Sequence, residues 1–225
     1  MSFVYEERAS DSPFVRTIWR TRSHSDGTYI AAADGCWDLL FITHNETTNV
    51  KLCGPMSHAT PVPYVQGVET FAIRFQLGTF LPHLPAHGIV DETLFLPKTS
   101  KIAFWFGNAA WQLPTYENVE TFVKRLLRQD LLLHDRMVED TLIHEQETDL
   151  SPRSVQRHVA HTTGLTPHTI RQIERANLAA NLLQQGTPLL MVVHEVGYTD
   201  QSHMTHALKR FIGTTPAQLI RERTL

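Results

Sequence analysis

Only two cysteines, Cys36 and Cys53, occur in 225 residues. That is too few for a disulfide framework, and they lack the Cys-x-x-Cys spacing of a redox or zinc site. Both sit in apolar stretches, GCWDLLFI and NVKLCGP, where free cysteine packs as a small hydrophobe. No apolar run reaches the roughly eighteen residues that a spanning helix needs. The opening MSFVYEERASDSP has acids where a signal peptide carries bases, and no apolar segment follows. The expectation is a soluble, cytoplasmic protein with no membrane partner.

Catalytic signatures are missing as well. There is no P-loop, no G-x-G-x-x-G and no G-x-S-x-G, and the His-x-His pattern of metal-binding cupins does not occur. His83 and His87 are four apart, but Pro82 and Pro85 argue against a shared helical face. His144-Glu145 and His194-Glu195 lack the second histidine of a zinc-protease helix. Neither cysteine sits in a basic setting that would make it a reactive thiolate. The chain is therefore read as a non-enzyme, with no cofactor, no metal and no catalytic residue assigned.

Charge is not in excess overall, at −3, yet it is unevenly spread. Residues 1–149 carry 12 Lys+Arg against 19 Asp+Glu, and residues 150–225 carry 8 against 4, giving −7 and +4. Six of the thirteen histidines lie in the basic segment and would add to its charge on mild acidification. Two halves with different partners are implied.

From Val15 to about Phe80 the pattern is of short strands between turns: VRTIWRTRS, TYIAAA, CWDLLFI, NVKLCG, VPYVQG and TFAIRFQLG. This predicts a β-sandwich or small barrel. Residues 81–113, rich in proline, give no assignable element. A helix is expected over 115–133, with Thr115 as N-cap and Val119, Phe122, Val123, Leu126 and Leu127 as one apolar stripe. That stripe can pack on its own β-domain or pair with a second copy in a two-fold dimer. The boundary falls near residue 130, dividing 1–130 from 131–225. Within the β-domain Trp19, Trp37 and Arg74 are the candidate effector contacts. Arg74 alternates with Ile73 and Phe75 and would anchor an anion if it faced inward.

The last third contains an internal repeat at an offset of 49. Ser151 matches Asp200, Val155 matches Met204, Val159 matches Leu208 and Gly164 matches Gly213. Thr166-Pro167 matches Thr215-Pro216, and Ile170 matches Leu219. Each copy reads as an N-cap, an amphipathic helix, a glycine stop and a Thr-Pro opening of the next helix. A shorter helix precedes each, within DRMVEDTLIHEQETDL and TPLLMVVHEVGYTDQ, and the layout is that of paired helix-turn-helix units. Between them 167–186 forms a linker helix, with Ile170, Ile173, Leu178, Leu182 and Leu183 near one stripe.

In the first unit Arg153, Gln156 and Arg157 oppose Val155, Val159 and Thr162. In the second, Ser202, Thr205, His206 and Lys209 oppose Met204, Leu208 and Phe211. Arginine reads guanine through a bidentate contact and glutamine reads adenine. One such face alone can be merely solvated, whereas two matched faces in a basic segment favour double-stranded DNA.

LSPRSVQRH, GLTPHTIRQIERANLAANLLQQG and HEVGYTDQSHMTHALKRFIGTTPAQL together resemble the AraC/XylS family of bacterial transcription regulators over roughly residues 150–220. The resemblance implies base contacts from Arg153, Gln156 and Arg157 and from Gln201, Ser202, His203 and His206. The family usually carries larger apolar residues where this chain has Val155, Val159, Met204 and Leu208. ADGCWDLLFI, LCGPM and FAIRFQLGTF are similar to the cupin-like regulatory domains that precede the module in some members. The expected fold is α+β, a cupin-like barrel or sandwich followed by an all-α double helix-turn-helix domain. The expected function is a sequence-specific DNA-binding regulator, with recognition helices at about 151–163 and 200–212 reading adjacent major-groove segments. RNA polymerase, a small-molecule effector and a second copy are further candidate partners. The alternative is an effector-binding or protein-interaction module whose helical part no longer binds DNA.

Overall fold

The structure is a computed structural model and describes residues 3–144 and 148–222. Its first half is built on strands β1 Phe3–Arg8, β2 Val15–Ser23, β3 Gly27–Ala31, β4 Asp38–His44, β5 Thr47–Cys53, β6 Thr60–Tyr64 and β7 Glu69–Phe75. Shorter strands follow: β8 Thr79–Phe80, β9 Thr93–Leu96, β10 Lys98–Ser100, β11 Ala103–Phe106 and β12 Ala109–Gln112. The helix α1 Val119–Arg128 and the two-residue strand β13 Leu133–His134 complete this part. The second half is helical: α2 Arg136–Leu142, α3 Pro152–Thr163, α4 Pro167–Gln185, α5 Leu189–Glu195, α6 Gln201–Phe211 and α7 Pro216–Glu222. The fold is therefore α+β, β-rich and then all-α. No helix among the described residues is long and apolar enough to cross a membrane.

The main sheet is antiparallel, in the order β1-β2-β7-β4-β5-β9. Its inner face follows from alternation: Ile18, Leu39, Phe41, Val50, Leu52, Ile73 and Phe75 are all buried in one core. Phe41 stacks on Phe71 across the strand pair at 4.5 Å and meets Phe104 and Phe122 edge-on at 5.9 and 6.1 Å. The small sheet β10-β11-β12 brings Phe104, Phe106 and Trp111 into that core.

The α1 stripe of Val119, Phe122, Val123 and Leu126 is buried against this same core. It is thereby spent on its own β-domain, and the helix-to-helix dimer has no apolar seam left to use. The helix is also shorter than 115–133. Asn118, not Thr115, is its N-cap position, and its side chain turns back to accept the Thr115 backbone N–H at 2.9 Å. The chain leaves the helix at Arg128, and Asp130 takes a left-handed φ of 53°.

Strands β9 to β12 fall in the stretch where periodicity showed nothing. At three or four residues each they are too short for alternation to register.

The helical half packs around a second core in which Val155, Val159, Ile170, Ile173, Leu183, Met204, Leu208 and Phe211 are buried. Three helix starts are capped as their sequences require. Ser151 Oγ accepts from Ser154 N, Thr166 Oγ1 from Thr169 N, and Asp200 Oδ1 from His203 N. Thr215 and Gln218 form a reciprocal capping box. Gly164 and Gly213 end the repeated helices at φ 68° and 80°, a region that favours glycine.

The α4 stripe differs from expectation at one residue. Ile170, Ile173, Ala176, Ala179, Ala180 and Leu183 face the core, while Leu178 is 50% exposed. Five residues beyond Ile173, Leu178 lies about 140° around the helix, which takes it off the buried face. Alanines fill the seam and let neighbouring helices approach closely.

Candidate nucleic-acid interface

Two short-helix/long-helix pairs, α2 with α3 and α5 with α6, stand on either side of α4. Residues 145–147, which fall between α2 and α3 in the sequence, lie outside the described residues. In the second pair Gly197 (φ 74°) opens the turn, Tyr198 is buried in it, and Arg175 of α4 sits over the Tyr198 ring at 5.5 Å. That arginine ties the linker helix to the turn. Its role depends on a contact across 23 residues of chain, and no local pattern announces it.

On α3 the side chains of Arg153, Gln156 and Arg157 are exposed, opposite buried Val155, Val159 and Thr162. On α6 Gln201, Ser202, His203, His206 and Lys209 are exposed, opposite buried Met204, Ala207, Leu208 and Phe211. Each set shares one helix face. Thr205 is only half-buried, and its hydroxyl donates to the Gln201 carbonyl at 2.8 Å, so it is already engaged by its own helix. His206 Nδ1 lies 2.7 Å from the Ser202 carbonyl. A carbonyl can only accept, so Nδ1 carries a proton and donates it within the helix. His203 packs its ring edge-on against Tyr198 at 5.2 Å.

Two histidines of the helical half serve a different contact. His158 Nδ1 meets Asp135 Oδ2 at 2.5 Å, and His161 lies edge-on to Phe80 of the β-domain at 4.9 Å.

The three candidate effector residues do not come together at a cavity. Trp19 is buried and stacks on Tyr5 at 6.2 Å. Trp37 is buried, and its indole N–H donates to the Thr162 carbonyl at 3.0 Å. Arg74 faces away from the β-core, since Ile73 and Phe75 point inward, and its guanidinium is held by two carboxylates. Nη2 lies 3.0 Å from Asp34 Oδ2 and 2.8 Å from Asp38 Oδ2, and Nε donates to Asp38 Oδ1 at 3.0 Å. An arginine so engaged is not an open anion anchor. Burial, only partly offset by Arg74, pushes the Asp34 carboxyl up to about 6.

The β-domain does carry a cleft of about 530 Å³ elsewhere, at the mouth of the sheet, where Arg20, Arg22, His24, Phe41, Phe71 and Tyr116 contribute to its walls. Arg20 and Arg22 share the parity of buried Ile18, and Arg20 stands directly across from Phe71, which stands across from Phe41. The same alternation argument applied to VRTIWRTRS would have found them. Arg20 pairs with Glu6 at 2.6 Å and Arg22 with Glu69 at 2.8 Å. Among the described residues no group of three or more His, Cys, Asp or Glu could hold a metal ion.

Residues 145–222 match a family described as "Helix-turn-helix domain". Over 123 residues the chain is 32% identical to the "HTH-type transcriptional regulator VirS" of Mycobacterium tuberculosis, in each of two strains. The matched stretch is 54% of this chain and 35% of that regulator, so it spans about a third of the relative's length. Two solved structures of ToxT from Vibrio cholerae are 9% identical and follow the chain over 98% and 99% of its length and 98% of theirs, with TM-scores of 0.45 and 0.46.

Proposed function

We propose that the protein is a sequence-specific, DNA-binding transcription regulator of the AraC type, with residues 145–222, which match a helix-turn-helix domain family, as its DNA-binding part. The observation that carries this is the pairing of α3 and α6. Each is capped at its start and buried on one face, and each holds hydrogen-bonding side chains on the other. Helices of this kind enter the major groove and read base edges. Two on one chain, joined by α4, suit successive groove segments roughly 34 Å apart. Arg153, Gln156, Arg157, Gln201, Ser202, His203, His206 and Lys209 are the proposed DNA contacts, and Thr205 supports its helix from within.

The β-domain is the regulatory half in this reading. Its 530 Å³ cleft is of the size that takes a small molecule, and the aromatic floor with a charged rim suits a flat polar effector.

In-vitro selection of duplexes bound by the full-length protein tests the function directly. Recovery of no enriched sequence would end it. Arg157→Ala should cost about 1–3 kcal/mol at the selected site and relax preference at one base pair. An equal loss on every sequence would make Arg157 a phosphate contact.

A second reading has its own observation. Leu190 and Met191 are 67% and 59% exposed and lie on α5, not on α3 or α6. An exposed apolar pair is a surface for a protein, and in a regulator RNA polymerase is the partner it would meet. If the helical half served protein contacts alone, affinity for nucleic acid would be slight, and the steep fall of log K with log salt that phosphate neutralisation causes would be missing.

A further inference from the structure

Of the six residues that join β3 to β4, the five from Ala33 to Trp37 are all buried. Connecting loops normally run over the surface, because buried backbone polar groups must each find a partner. Here the partners lie in the helical half. Ala33 N–H donates to the Phe211 carbonyl at 2.7 Å, and the Ala33 carbonyl accepts from Asn177 Nδ2 at 3.4 Å. Trp37 Nε1–H donates to the Thr162 carbonyl at 3.0 Å. Just before β6, Ala59 N–H donates to the Arg210 carbonyl at 2.8 Å.

Thr162 lies in the last turn of α3, and Arg210 and Phe211 lie in the last turn of α6. Those carbonyls are among the four that a helix leaves without an internal donor. The β-domain therefore supplies donors to the C-terminal ends of both outward-facing helices. The same loop holds α4: Gly35 is packed so closely on Ile170 that a Cβ there would fall 2.5 Å from Ile170 Cδ1. Beside it Arg16 bridges Cys36 to Glu174 of α4, the ion pair at 3.1 Å. Asp34 fastens the loop to the sheet through Arg74.

We propose that the Ala33–Trp37 loop is a positioning element that holds the two recognition helices in a fixed relation to each other, so that the β-domain sets which spacing of DNA half-elements the protein accepts. This rests on α3 and α6 being the helices that meet DNA. The lever is long enough to matter. A helix of eleven or twelve residues is about 17 Å long, and a tilt of about 10° at its C-terminal end moves the other end roughly 3 Å, close to the ~3.4 Å of one base-pair step. The proposed reading residues of α3 and α6 are clustered toward the ends that such a tilt would swing. Trp37 anchors to α3 the same loop whose Ala33 N–H grips α6, so losing the indole's bond loosens the loop and both helix ends it holds.

The test uses the full-length protein and Trp37→Phe, which keeps an aromatic ring and removes the indole N–H. Trp111→Phe is the matched control. Trp111 is equally buried, its indole donates to the Phe106 carbonyl at 3.1 Å, and it lies in the β-core against α1, in a cluster that includes no residue of α3 or α6. The probes are a duplex selected by the wild type, each half-element alone, and versions with one or two base pairs added or removed between the halves. Wild type and Trp111→Phe should favour one spacing by about tenfold or more, whereas Trp37→Phe should bind all spacings to within about threefold. Its affinity for a single half-element should be unchanged.

Amide hydrogen exchange on the DNA-free protein gives a second readout. Trp37→Phe should speed exchange in the last turns of α3 and α6 together. An unchanged spacing ratio in Trp37→Phe, the same loss in Trp111→Phe, or faster exchange in α3 alone would each overturn the proposal. If the wild type selects no DNA, the functional reading fails and the exchange result alone decides whether the loop couples the two helix ends. Should Trp37→Phe not fold, Asn177→Ala, which releases α4 from the Ala33 carbonyl, is judged by the same two readouts.

Discussion

Replacing Arg74 by alanine is expected to destabilise the full-length protein by about 3–5 kcal/mol at neutral pH, the usual cost of stripping one partner from a buried ion cluster. Asp34 and Asp38 share this one guanidinium, and both carboxylates are nearly withdrawn from water. Without Arg74 the two like charges face each other with their counter-ion gone. The deficit should shrink on acidification, and the sign follows from Asp34. Its folded pKa, about 6, is above the ordinary carboxylate value of 3.8, because burial disfavours the charged form. The native state therefore holds that proton more tightly than the unfolded chain. The stability this confers is full below about pH 4 and lost as pH rises toward 6. In Arg74→Ala the opposing pull of the arginine is gone and the folded pKa rises further, so protonation rescues the variant more than the wild type. Urea unfolding at pH 4.5 and 7.5 measures both. A deficit independent of pH would show that Asp34 is not the stranded charge.

Leu208→Ala should cost about 2–5 kcal/mol, since it removes a buried leucine and leaves a cavity in a core that cannot fully collapse. Leu208 is completely buried on α6, and its carbonyl accepts the N–H groups of Ile212 and Gly213, so the side chain sits where the helix turns to its stop. It is also the position that Val159 holds in the first unit. For a chain of this size each kcal/mol lowers the melting temperature by roughly 2–4 °C. The exposed neighbour Lys209, changed to alanine, should stay within about 0.5 kcal/mol of wild type. Equal melting temperatures for Leu208→Ala and wild type would mean that the helix turns a different face to the core.

Much of the helical half was legible because its signals are local. Caps bond across three residues, as Ser151 to Ser154 and Asp200 to His203 do, and glycine stops act on their own backbone. The burial of Val155, Val159, Met204 and Leu208 repeats every turn of one helix. The outward placement of Arg153, Gln156 and Arg157 follows from that same period. From Val15 on, strands of five to nine residues such as VRTIWRTRS were legible through alternation, whereas β1 (FVYEER) went unread and β9 to β12 were too short to show it. Leu178 was misplaced because an apolar residue near a stripe was counted as part of it, although the angle puts it in water.

What only the tertiary structure decided is which face of an element meets what. Alternation put Arg74 opposite Ile73 and Phe75, but only the packed sheet shows that its side is the one holding Asp34 and Asp38. The apolar stripe of α1 is the same whether it meets a sheet or a second copy, and the chain path gave it to the sheet. Trp37 and Thr162 are 125 residues apart, and nothing in either neighbourhood announces that an indole will close the end of α3. Capping, turning and amphipathicity are written within a few residues because their hydrogen bonds and periods are that short. The contacts that join the β-domain to α3 and α6 exist only after two separately formed surfaces have met.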